Sequence, residues 1–347
     1  MPKQSKSLAI TASDVKPQKT DWIWNDLIAK GCVTVVAGDP GTAKAQIAVM
    51  LAAKVSKGAA WPCRGGSAPE GDVVMLVGED DLAKRITPLL MAANANLKRV
   101  HLIRDCDYEN FKPLNLFDKE DRSRIGEAIA GTKNPQLVII DPITAFADSK
   151  LNNGPAARQL LAELTAAAIY YNIAIVLICH LTKSGGKKAL SMIAGSSAIA
   201  AAARAVYMTT DDEPGSKYRL FTCVKNNLAP NNIALRYRVE PKKVGGVPTT
   251  WLKWHPKPLR MTADEALAKA KVNGSTPPRA IDVFLKGLLV DGKRGASEIF
   301  AKGGRSGFTE AQLRGAGTCL AVIKTNTGYG ESKKWFWELP PPASKSS

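Results

Sequence analysis

The sequence has few of the residues that hold metal sites or secreted folds together. Its six cysteines are scattered, with no C-x-x-C pair and no cysteine–histidine spacing of the kind that binds zinc. A zinc module and a disulfide framework are therefore excluded, and a reducing compartment is expected. The first residues lack an apolar signal segment, and two alanine-rich runs, 160–181 and 192–208, contain polar or charged side chains. We expect a cytoplasmic protein with no membrane partner.

Acidic residues are scarce relative to basic ones. The 347 residues include 48 Lys and Arg against 31 Asp and Glu, which gives a net charge of +17. Residues 241–347 contain 18 basic and eight acidic side chains and so hold +10 of that total. This asymmetry indicates a polyanionic partner for the C-terminal part, although a solvated lysine-rich surface has the same composition.

What the sequence does contain is a strand, a glycine-rich turn, a lysine and a helix in direct succession. Val33–Val36 is β-branched, and a helical pattern continues from Gln46. This order is typical of a phosphate-binding P-loop, in which backbone N–H groups surround the phosphates and the lysine reaches the β- and γ-phosphates. The candidate nucleotide-binding residues are Gly38, Asp39, Pro40, Gly41, Thr42, Ala43, Lys44 and Ala45.

Two alanines depart from the pattern G-x-x-x-x-G-K-[ST]. Ala43 replaces the glycine before the lysine, where a methyl group fits if the backbone φ is negative. Ala45 replaces the Ser or Thr whose hydroxyl binds Mg²⁺. Taken alone, the stretch is also compatible with a glycine-rich turn before an ordinary helix.

Three polar residues follow apolar strand patterns directly: Glu79, Asp141 and His180. In an open α/β sheet ligands bind at the carboxyl ends of the strands, so these residues and Lys44 are predicted to face one crevice. Asp141 would hold Mg²⁺ through water, Glu79 would polarise the attacking water, and His180 would sense the γ-phosphate. Each is individually compatible with a local turn or packing role, but their common edge favours a site for ATP and Mg²⁺.

The chain as a whole predicts an α/β fold, with a mainly parallel sheet, helices on both faces and a small C-terminal domain. Residues 1–30 are an N-terminal segment, and residues 31–240 are the α/β domain. The lysine- and proline-rich residues 241–276 are predicted to form a basic linker. Residues 277–339 contain three helical patterns and a terminal hairpin, which predict a winged helix, and residues 340–347 are predicted to be disordered.

A winged helix commonly sets its third helix and its wing against duplex DNA. The candidate DNA contacts are Arg314 on the third helix and Lys324, Lys333 and Lys334 on the wing. Winged helices also serve as protein-docking modules, and the sequence leaves both uses open.

The order of these motifs resembles the RecA-like ATPases of the plasmid RepA helicase type, which are related to the DnaB-like hexameric helicases. The resemblance covers about residues 20–240. It rests on the segments 38–44, 77–81, 141–142, 180–183, 195–204 and 225–227. It implies that Glu79 is the strand-end catalytic glutamate, that Asp141 is the Walker B aspartate, and that His180 belongs to the histidine motif.

The same resemblance implies that two residues act in trans. Arg204 corresponds to an arginine finger and Lys225 to the basic element that follows it, both set against the γ-phosphate of the next subunit in a hexameric ring. In such a ring the loop 183–188 would face the central channel. Its basic residues Lys183, Lys187 and Lys188 would then follow single-stranded DNA. A surface loop without this role is the plain alternative.

The sequence therefore predicts an ATP-binding motor acting on DNA, specifically a replicative hexameric helicase of plasmid, phage or mobile-element type. The alternative is a DNA-binding regulator or loader that binds ATP and hydrolyses it poorly. Ala45 favours the alternative because it removes a ligand of the metal.

Overall fold

The structure is a computed structural model of the 347-residue chain. It describes residues 9–63, 66–107, 112–147, 149–181, 189–193, 197–213, 215–230, 233–272, 280–290, 292–306, 308–320, 322–327 and 334–340. Contacts divide the chain into two compact units, residues 1–273 and 274–347.

The strands, in chain order, are β1 (Trp22–Trp24), β2 (Ile28–Ala29), β3 (Cys32–Gly38), β4 (Asp72–Val77), β5 (Val100–Arg104), β6 (Cys106–Asp107), β7 (Lys112–Pro113), β8 (Pro135–Asp141), β9 (Ala174–His180), β10 (Ala205–Asp211), β11 (Tyr218–Asn226), β12 (Ile233–Val244), β13 (Val247–Trp254), β14 (Leu259–Arg260), β15 (Arg294–Gly295), β16 (Ile323–Thr327) and β17 (Lys334–Glu338). The α-helices are α1 (Lys44–Val55), α2 (Thr87–Ala92), α3 (Lys119–Ala130), α4 (Gly154–Tyr170), α5 (Ser197–Ala202), α6 (Ala263–Val272), α7 (Ala280–Leu289), α8 (Ala296–Arg305) and α9 (Glu310–Cys319).

One large sheet organises the first unit. Its strand order is β13-β12-β11-β10-β3-β9-β8-β4-β5, with β14 paired to β12. The strands from β10 to β5 are parallel to one another, whereas β11 to β14 are joined by antiparallel pairing. The predicted α/β fold class, with a mainly parallel sheet, is confirmed.

The central strands are buried on both faces. Along β4, Val74 and Leu76 belong to one apolar cluster with residues of α3 and α4, whereas Val73 and Met75 belong to a second cluster with residues of α1 and α2. A strand covered on both faces needs apolar side chains at every position, which is why these strands appear in the sequence as unbroken apolar runs. The helices therefore occupy both faces of the sheet.

The predicted basic linker is wrong for residues 241–254. These residues lie in β12 and β13, which pair as a hairpin at the edge of the large sheet. The turn between them is Gly245-Gly246, and both glycines have positive φ, as a tight hairpin turn requires. The lysines of this stretch are exposed, whereas Leu252 is buried. The stretch is therefore a half-buried strand pair, although its basic composition resembles that of a linker.

The second unit contains α7, α8, α9 and a three-stranded antiparallel sheet in the order β15-β17-β16. Its core includes Leu285, Ile299, Leu313 and Trp337. Gly317 allows α9 to approach the sheet closely, because a Cβ at that position would lie 2.9 Å from the Trp337 ring. The two-residue strand β15 is absent from the sequence prediction because so short a strand has no periodicity to detect.

Several predictions concern residues outside those that the structure describes. These are the basic loop 183–188, Lys333 on the proposed wing and residues 341–347 of the proposed tail. In the part of the chain that is described, none of the helices is both long and apolar enough to cross a membrane.

Candidate functional site

The parallel register of the sheet brings four of the predicted site residues to one edge. Gly38 at the end of β3 pairs with His180 at the end of β9, and Val77 at the end of β4 pairs with Asp141 at the end of β8. A cleft of about 390 Å³ opens beyond these strand ends. Lys44, Glu79, Asp141 and His180 all line it, together with Pro40, Gly41, Ala43 and Ala45 of the loop.

The first glycine of the loop is required by a close contact with β10. A Cβ on Gly38 would lie 1.9 Å from the Oγ1 atom of Thr209 and 2.7 Å from that of Thr42. Gly41 is needed for a different reason, since its φ is +86° and lies in the left-handed region. Both glycines therefore set the path of the chain between β3 and α1.

Ala43 has a positive backbone φ, whereas a residue with a Cβ atom favours a negative φ. Its φ and ψ are +66° and +34°, in the left-handed region, so the condition under which a methyl group fits without strain is not met. An L-residue with a Cβ in this region is strained by about 1–2 kcal/mol, which explains why the P-loop pattern has glycine here. Residue 43 directly precedes α1, so the chain enters the helix from this conformation.

Lys44 is the first residue of α1 and is buried. Its ammonium donates hydrogen bonds to the carbonyl oxygens of Gly38, at 2.8 Å, and Asp39, at 3.0 Å. Burial lowers the pKa of Lys44, and the nearby Asp141 carboxylate opposes that shift. Because an ammonium has three donors, the lysine can hold the loop and still donate to an anion in the cleft.

The amino end of α1 adds backbone donors to the same cleft. The first intrahelical bond runs from Ile47 to the carbonyl oxygen of Ala43, at 3.1 Å. The N–H groups of residues 43–46 precede it, and no side chain caps the helix. These four residues line the cleft, so the helix dipole and the N–H groups favour an anion at this point.

Asp141 is the carboxylate most affected by its surroundings. Burial raises its pKa to about 7, with Asp80 and Glu79 adding to the rise and Lys44 opposing it. Near neutral pH both the protonated and the ionised forms of this group are therefore populated. Binding of a cation in the cleft would favour its ionised form.

Glu79 and His180 face each other across the cleft. The Nε2 atom of His180 lies 3.7 Å from the Oε1 atom of Glu79, and the Glu79 side chain is 59% exposed. This carboxylate is accessible to water in the open part of the cleft, whereas Asp141 lies deeper. The two carboxylates therefore have different environments, as a base and a metal ligand need.

The carboxylates of the cleft are suited to Mg²⁺, which needs only one or two ligands from the protein, rather than to a metal ion whose ligands all come from the protein. Glu79, Asp80 and Asp141 all line the cleft, whereas Ala45 supplies no side-chain oxygen. Among the described side chains, no group of three acidic, cysteine or histidine residues converges into a metal site. Mg²⁺ prefers oxygen ligands and commonly takes one or two from carboxylates and the rest from phosphates and water. The residues present are compatible with that pattern.

Two arginines in the cleft were not predicted from the sequence. The Nε atom of Arg85 lies 2.7 Å from Asp80, and the Nε atom of Arg219, on β11, lies 3.7 Å from Asp211. Arg85 lies on the helical stretch that follows β4 and the acidic residues after it. A basic residue so close to predicted site carboxylates is a sequence signal that could have identified it. Arg219 comes from the antiparallel part of the sheet, and the P-loop pattern contains no signal for it.

Arg204 and Lys225 lie at the opposite edge of the sheet from the cleft. Arg204 directly precedes β10 and is exposed, and β10 pairs with β3 from Ala205 opposite Thr34. The Lys225 ammonium donates to the carbonyl oxygens of Ala201, at 2.7 Å, and Ala203, at 2.8 Å. Burial lowers the pKa of Lys225, and Arg204 acts in the same direction. Neither residue belongs to the cleft of its own chain, and Lys225 holds the segment that carries Arg204.

The candidate DNA contacts of the second unit are described in part. Arg314 on α9 lies 4.7 Å from the centre of the Phe300 ring and 3.4 Å from Glu310. Lys324 on β16 lies 4.8 Å from the centre of the Trp337 ring. The backbone of Lys334 begins β17, and its side chain is outside the description, as is the whole of Lys333.

Comparison with known proteins bears on the first unit. The family described as AAA domain matches residues 2–186, which is more than half of the chain. The chain belongs to this family.

Three curated proteins named DNA repair protein RadA also match. That of Chlamydia pneumoniae is 24% identical over 209 residues, which are 59% of this chain and 39% of the relative. That of Brucella abortus is 27% identical over 210 residues, 58% and 38% of the two chains, and that of Bacillus subtilis 25% over 162 residues, 46% and 30%.

The AAA domain match and the RadA relatives support a RecA-like P-loop ATPase core, in agreement with the sheet and the loop before α1. The chain spans less than two-fifths of the length of these relatives. The similarity to these relatives is therefore evidence about the ATPase core of this chain, and it does not establish an activity of the whole protein.

Proposed function

We propose that this chain is an ATP-driven motor acting on DNA, and more narrowly a replicative hexameric helicase of plasmid, phage or mobile-element type. The observation that carries the proposal is a single cleft that gathers Lys44, Glu79, Asp141 and His180 at the end of the parallel strands. A binding site for anions, a half-buried carboxylate and a more exposed carboxylate are the parts that nucleotide hydrolysis requires. The AAA domain match over the same residues supports it.

Each residue of the cleft has a role set by its chemistry and depth. The N–H groups of residues 43–46 and the Lys44 ammonium would bind the β- and γ-phosphates. Glu79 would orient the attacking water and accept its proton, and His180, 3.7 Å away, would respond to that change of charge. Asp141 would hold Mg²⁺, which supplies neutralisation of phosphate charge when it is bound.

Arg204 supports assembly into a ring, with each site completed by its neighbour. It lies at the far edge of the sheet from its own cleft, so it can contribute to hydrolysis only in another subunit. The Lys225 bonds to the carbonyl groups before Arg204 would keep that guanidinium in place. A positive charge added from a neighbour stabilises the charge that develops on the transferred phosphate.

DNA as the partner is supported by charge and by the second unit. Residues 241–347 hold +10 of the net charge of +17, and the relatives are named as DNA repair proteins. The order α7-β15-α8-α9-β16-β17 is that of a winged helix, which we propose for this unit. Docking of a protein by the same unit is the alternative, because the ion pair between Arg314 and Glu310 already offsets one of the candidate charges.

A regulator or loader that binds ATP and hydrolyses it slowly is the second candidate. It is favoured by the methyl group of Ala45 at the cleft, where a hydroxyl would bind the metal. A pKa of about 7 for Asp141 adds to this effect, because a proton competes with the cation at neutral pH. Both features reduce turnover more than binding.

ATP hydrolysis with Mg²⁺, measured with and without single-stranded DNA, separates the two candidates. We expect weak turnover that DNA stimulates and that rises in the Ala45→Ser variant. Ala45→Cys is the matched control, since it adds a side-chain atom without a hard oxygen ligand and should not raise the rate. Undetectable turnover by the wild-type chain, together with no strand separation, would reject the motor and leave the regulator or loader.

A further inference from the structure

A tyrosine from the antiparallel part of the sheet holds the phosphate loop. Tyr237, on β12, donates a hydrogen bond from its hydroxyl to the carbonyl oxygen of Thr42, at 2.6 Å. Its side chain is fully buried, and burial raises its pKa, so the hydroxyl remains a donor throughout the physiological range. The two residues are 195 positions apart in the chain.

The side chain of Thr42 is held at the same time. Its hydroxyl donates to the carbonyl oxygen of Asp39 at 2.7 Å, and its Oγ1 atom lies 2.7 Å from that of Thr209 on β10. The Oγ1 atom of Thr209 also lies 3.3 Å from the carbonyl oxygen of Ala37, so two hydroxyl protons serve three contacts and either threonine can donate in this pair. Thr42 is therefore fixed by β12 through its carbonyl group and by β10 through its side chain.

The Thr42 carbonyl group belongs to the same peptide unit as the N–H group of Ala43. A trans peptide is planar, and its C=O and N–H bonds point in opposite directions. A hydrogen bond that fixes the Thr42 carbonyl therefore also fixes the Ala43 N–H. That N–H is the first of the backbone donors at the amino end of α1, where Ala43 lines the cleft.

The peptide that Tyr237 holds leads into the strained residue. Ala43 has φ of +66°, a conformation that alanine leaves readily when nothing restrains it. We propose that Tyr237 is a positioning residue for the triphosphate, whose hydroxyl holds the Thr42–Ala43 peptide so that the Ala43 N–H faces the phosphates. This inference rests on the proposed ATP site, and it extends that site to a strand well beyond the P-loop.

The test compares two tyrosines that differ in what they hold. Tyr207, on β10, is also fully buried and donates its hydroxyl to a backbone carbonyl, that of Leu27, at 2.7 Å. Titration calorimetry with Mg·ATP should show about tenfold weaker binding for Tyr237→Phe, the scale of one lost hydrogen bond that orients a donor. Tyr207→Phe should bind as the wild type does. Thermal unfolding of both variants without nucleotide checks that each is folded.

Rescue by glycine separates positioning from a general loss of packing. Glycine adopts the left-handed conformation without strain, so in an Ala43→Gly background the loop depends less on Tyr237. There the effect of Tyr237→Phe on ATP affinity should fall to about twofold. A merely structural role would give the same loss in both backgrounds.

Three outcomes would overturn the inference, and they are distinguishable. Wild-type affinity in Tyr237→Phe, or an equal loss of affinity with Ala43 and with Gly at position 43, overturns the role of Tyr237 and leaves the ATP site intact. Absence of Mg·ATP binding by the folded wild-type chain overturns the proposed function and the role of Tyr237 with it.

Discussion

The backbone N–H of Arg204 donates a hydrogen bond to the carbonyl oxygen of Val33, at 3.3 Å. Val33 is near the amino end of β3, whereas the phosphate loop follows the carboxyl end at Gly38. Five residues of strand separate the two points by about 17 Å, which is beyond the reach of an arginine side chain. Any part that Arg204 takes in hydrolysis must therefore involve the cleft of another subunit.

Mixing of two inactive variants tests this geometry. Lys44→Ala should lose nucleotide binding, and Arg204→Ala should bind nucleotide but lose turnover. In a randomly mixed ring about a quarter of the interfaces join an intact Lys44 to an intact Arg204. We expect the equimolar mixture to recover up to that fraction of the wild-type ATP hydrolysis rate, measured by phosphate release.

Two different Lys44 variants mixed together provide the control, because no interface of that mixture contains an intact P-loop. Recovery there would indicate contamination rather than complementation. If the mixture of Lys44→Ala and Arg204→Ala stays inactive although both chains assemble, Arg204 has no role in trans.

The left-handed backbone of Ala43 makes a prediction about stability. Ala43→Gly should raise the free energy of unfolding by about 1 kcal/mol. Relief of roughly 1–2 kcal/mol of strain is partly offset by the greater freedom of glycine in the unfolded chain. Urea denaturation without nucleotide measures the change.

An alanine in ordinary helical conformation should respond in the opposite direction. Ala162 is exposed within α4, and Ala162→Gly should lower the free energy of unfolding by roughly 1 kcal/mol or less. Equal destabilisation by both glycine substitutions would mean that Ala43 is not strained in solution.

The raised pKa of Asp141 predicts how stability depends on pH. Its pKa is about 7 in the folded chain against 3.8 in the absence of the fold. Because the folded value is the higher one, the contribution of this group to stability is complete below pH 3.8 and is lost as the pH rises toward 7. Between those limits the wild type should lose on the order of 3 kcal/mol relative to Asp141→Asn.

Urea denaturation of both chains across that pH range measures the difference, and titrating groups distant from the cleft cancel in the comparison. Parallel curves for the wild type and Asp141→Asn would show that the carboxyl group is as well solvated in the folded chain as in the unfolded one.

The parts of the site that the sequence predicts are those that depend on local order. A strand pattern that leads into Glu79, Asp141 or His180, or into the glycine-rich turn before Lys44, indicates where each residue leaves the sheet. Parallel pairing then brings the four residues together. The same reasoning leaves the sign of φ at Ala43 open, because that sign depends on the path of the chain between β3 and α1 and on the contacts that hold this path.

The parts that the sequence does not predict depend on contacts between distant segments. Tyr237 reaches Thr42, and Arg219 reaches the cleft, only because β11 and β12 extend the sheet beside β10. Nothing in the local pattern of a strand tells which loop its side chains will hold. The lysines of the β12–β13 hairpin added to the difficulty, since they made a strand pair resemble a linker.

The proposed winged helix predicts how the full chain should bind duplex DNA as the salt concentration changes. Each lysine or arginine that neutralises a phosphate contributes about one unit to the slope of the logarithm of affinity against the logarithm of salt concentration. Arg314→Gln and Lys324→Gln should therefore each reduce the slope by about one, and the double variant by about two. Fluorescence anisotropy with a labelled duplex measures it.

Lys286 on α7 supplies the matched control for that experiment, because it is an exposed cation of the same unit on a helix outside the proposed contact surface. Lys286→Gln removes the same charge and should leave the slope nearly unchanged. A slope that is the same in the wild type and in the Arg314→Gln, Lys324→Gln double variant would show that α9 and β16 do not contact phosphates. The second unit would then be better explained as a protein-docking module, and the DNA contacts would have to lie in the first unit.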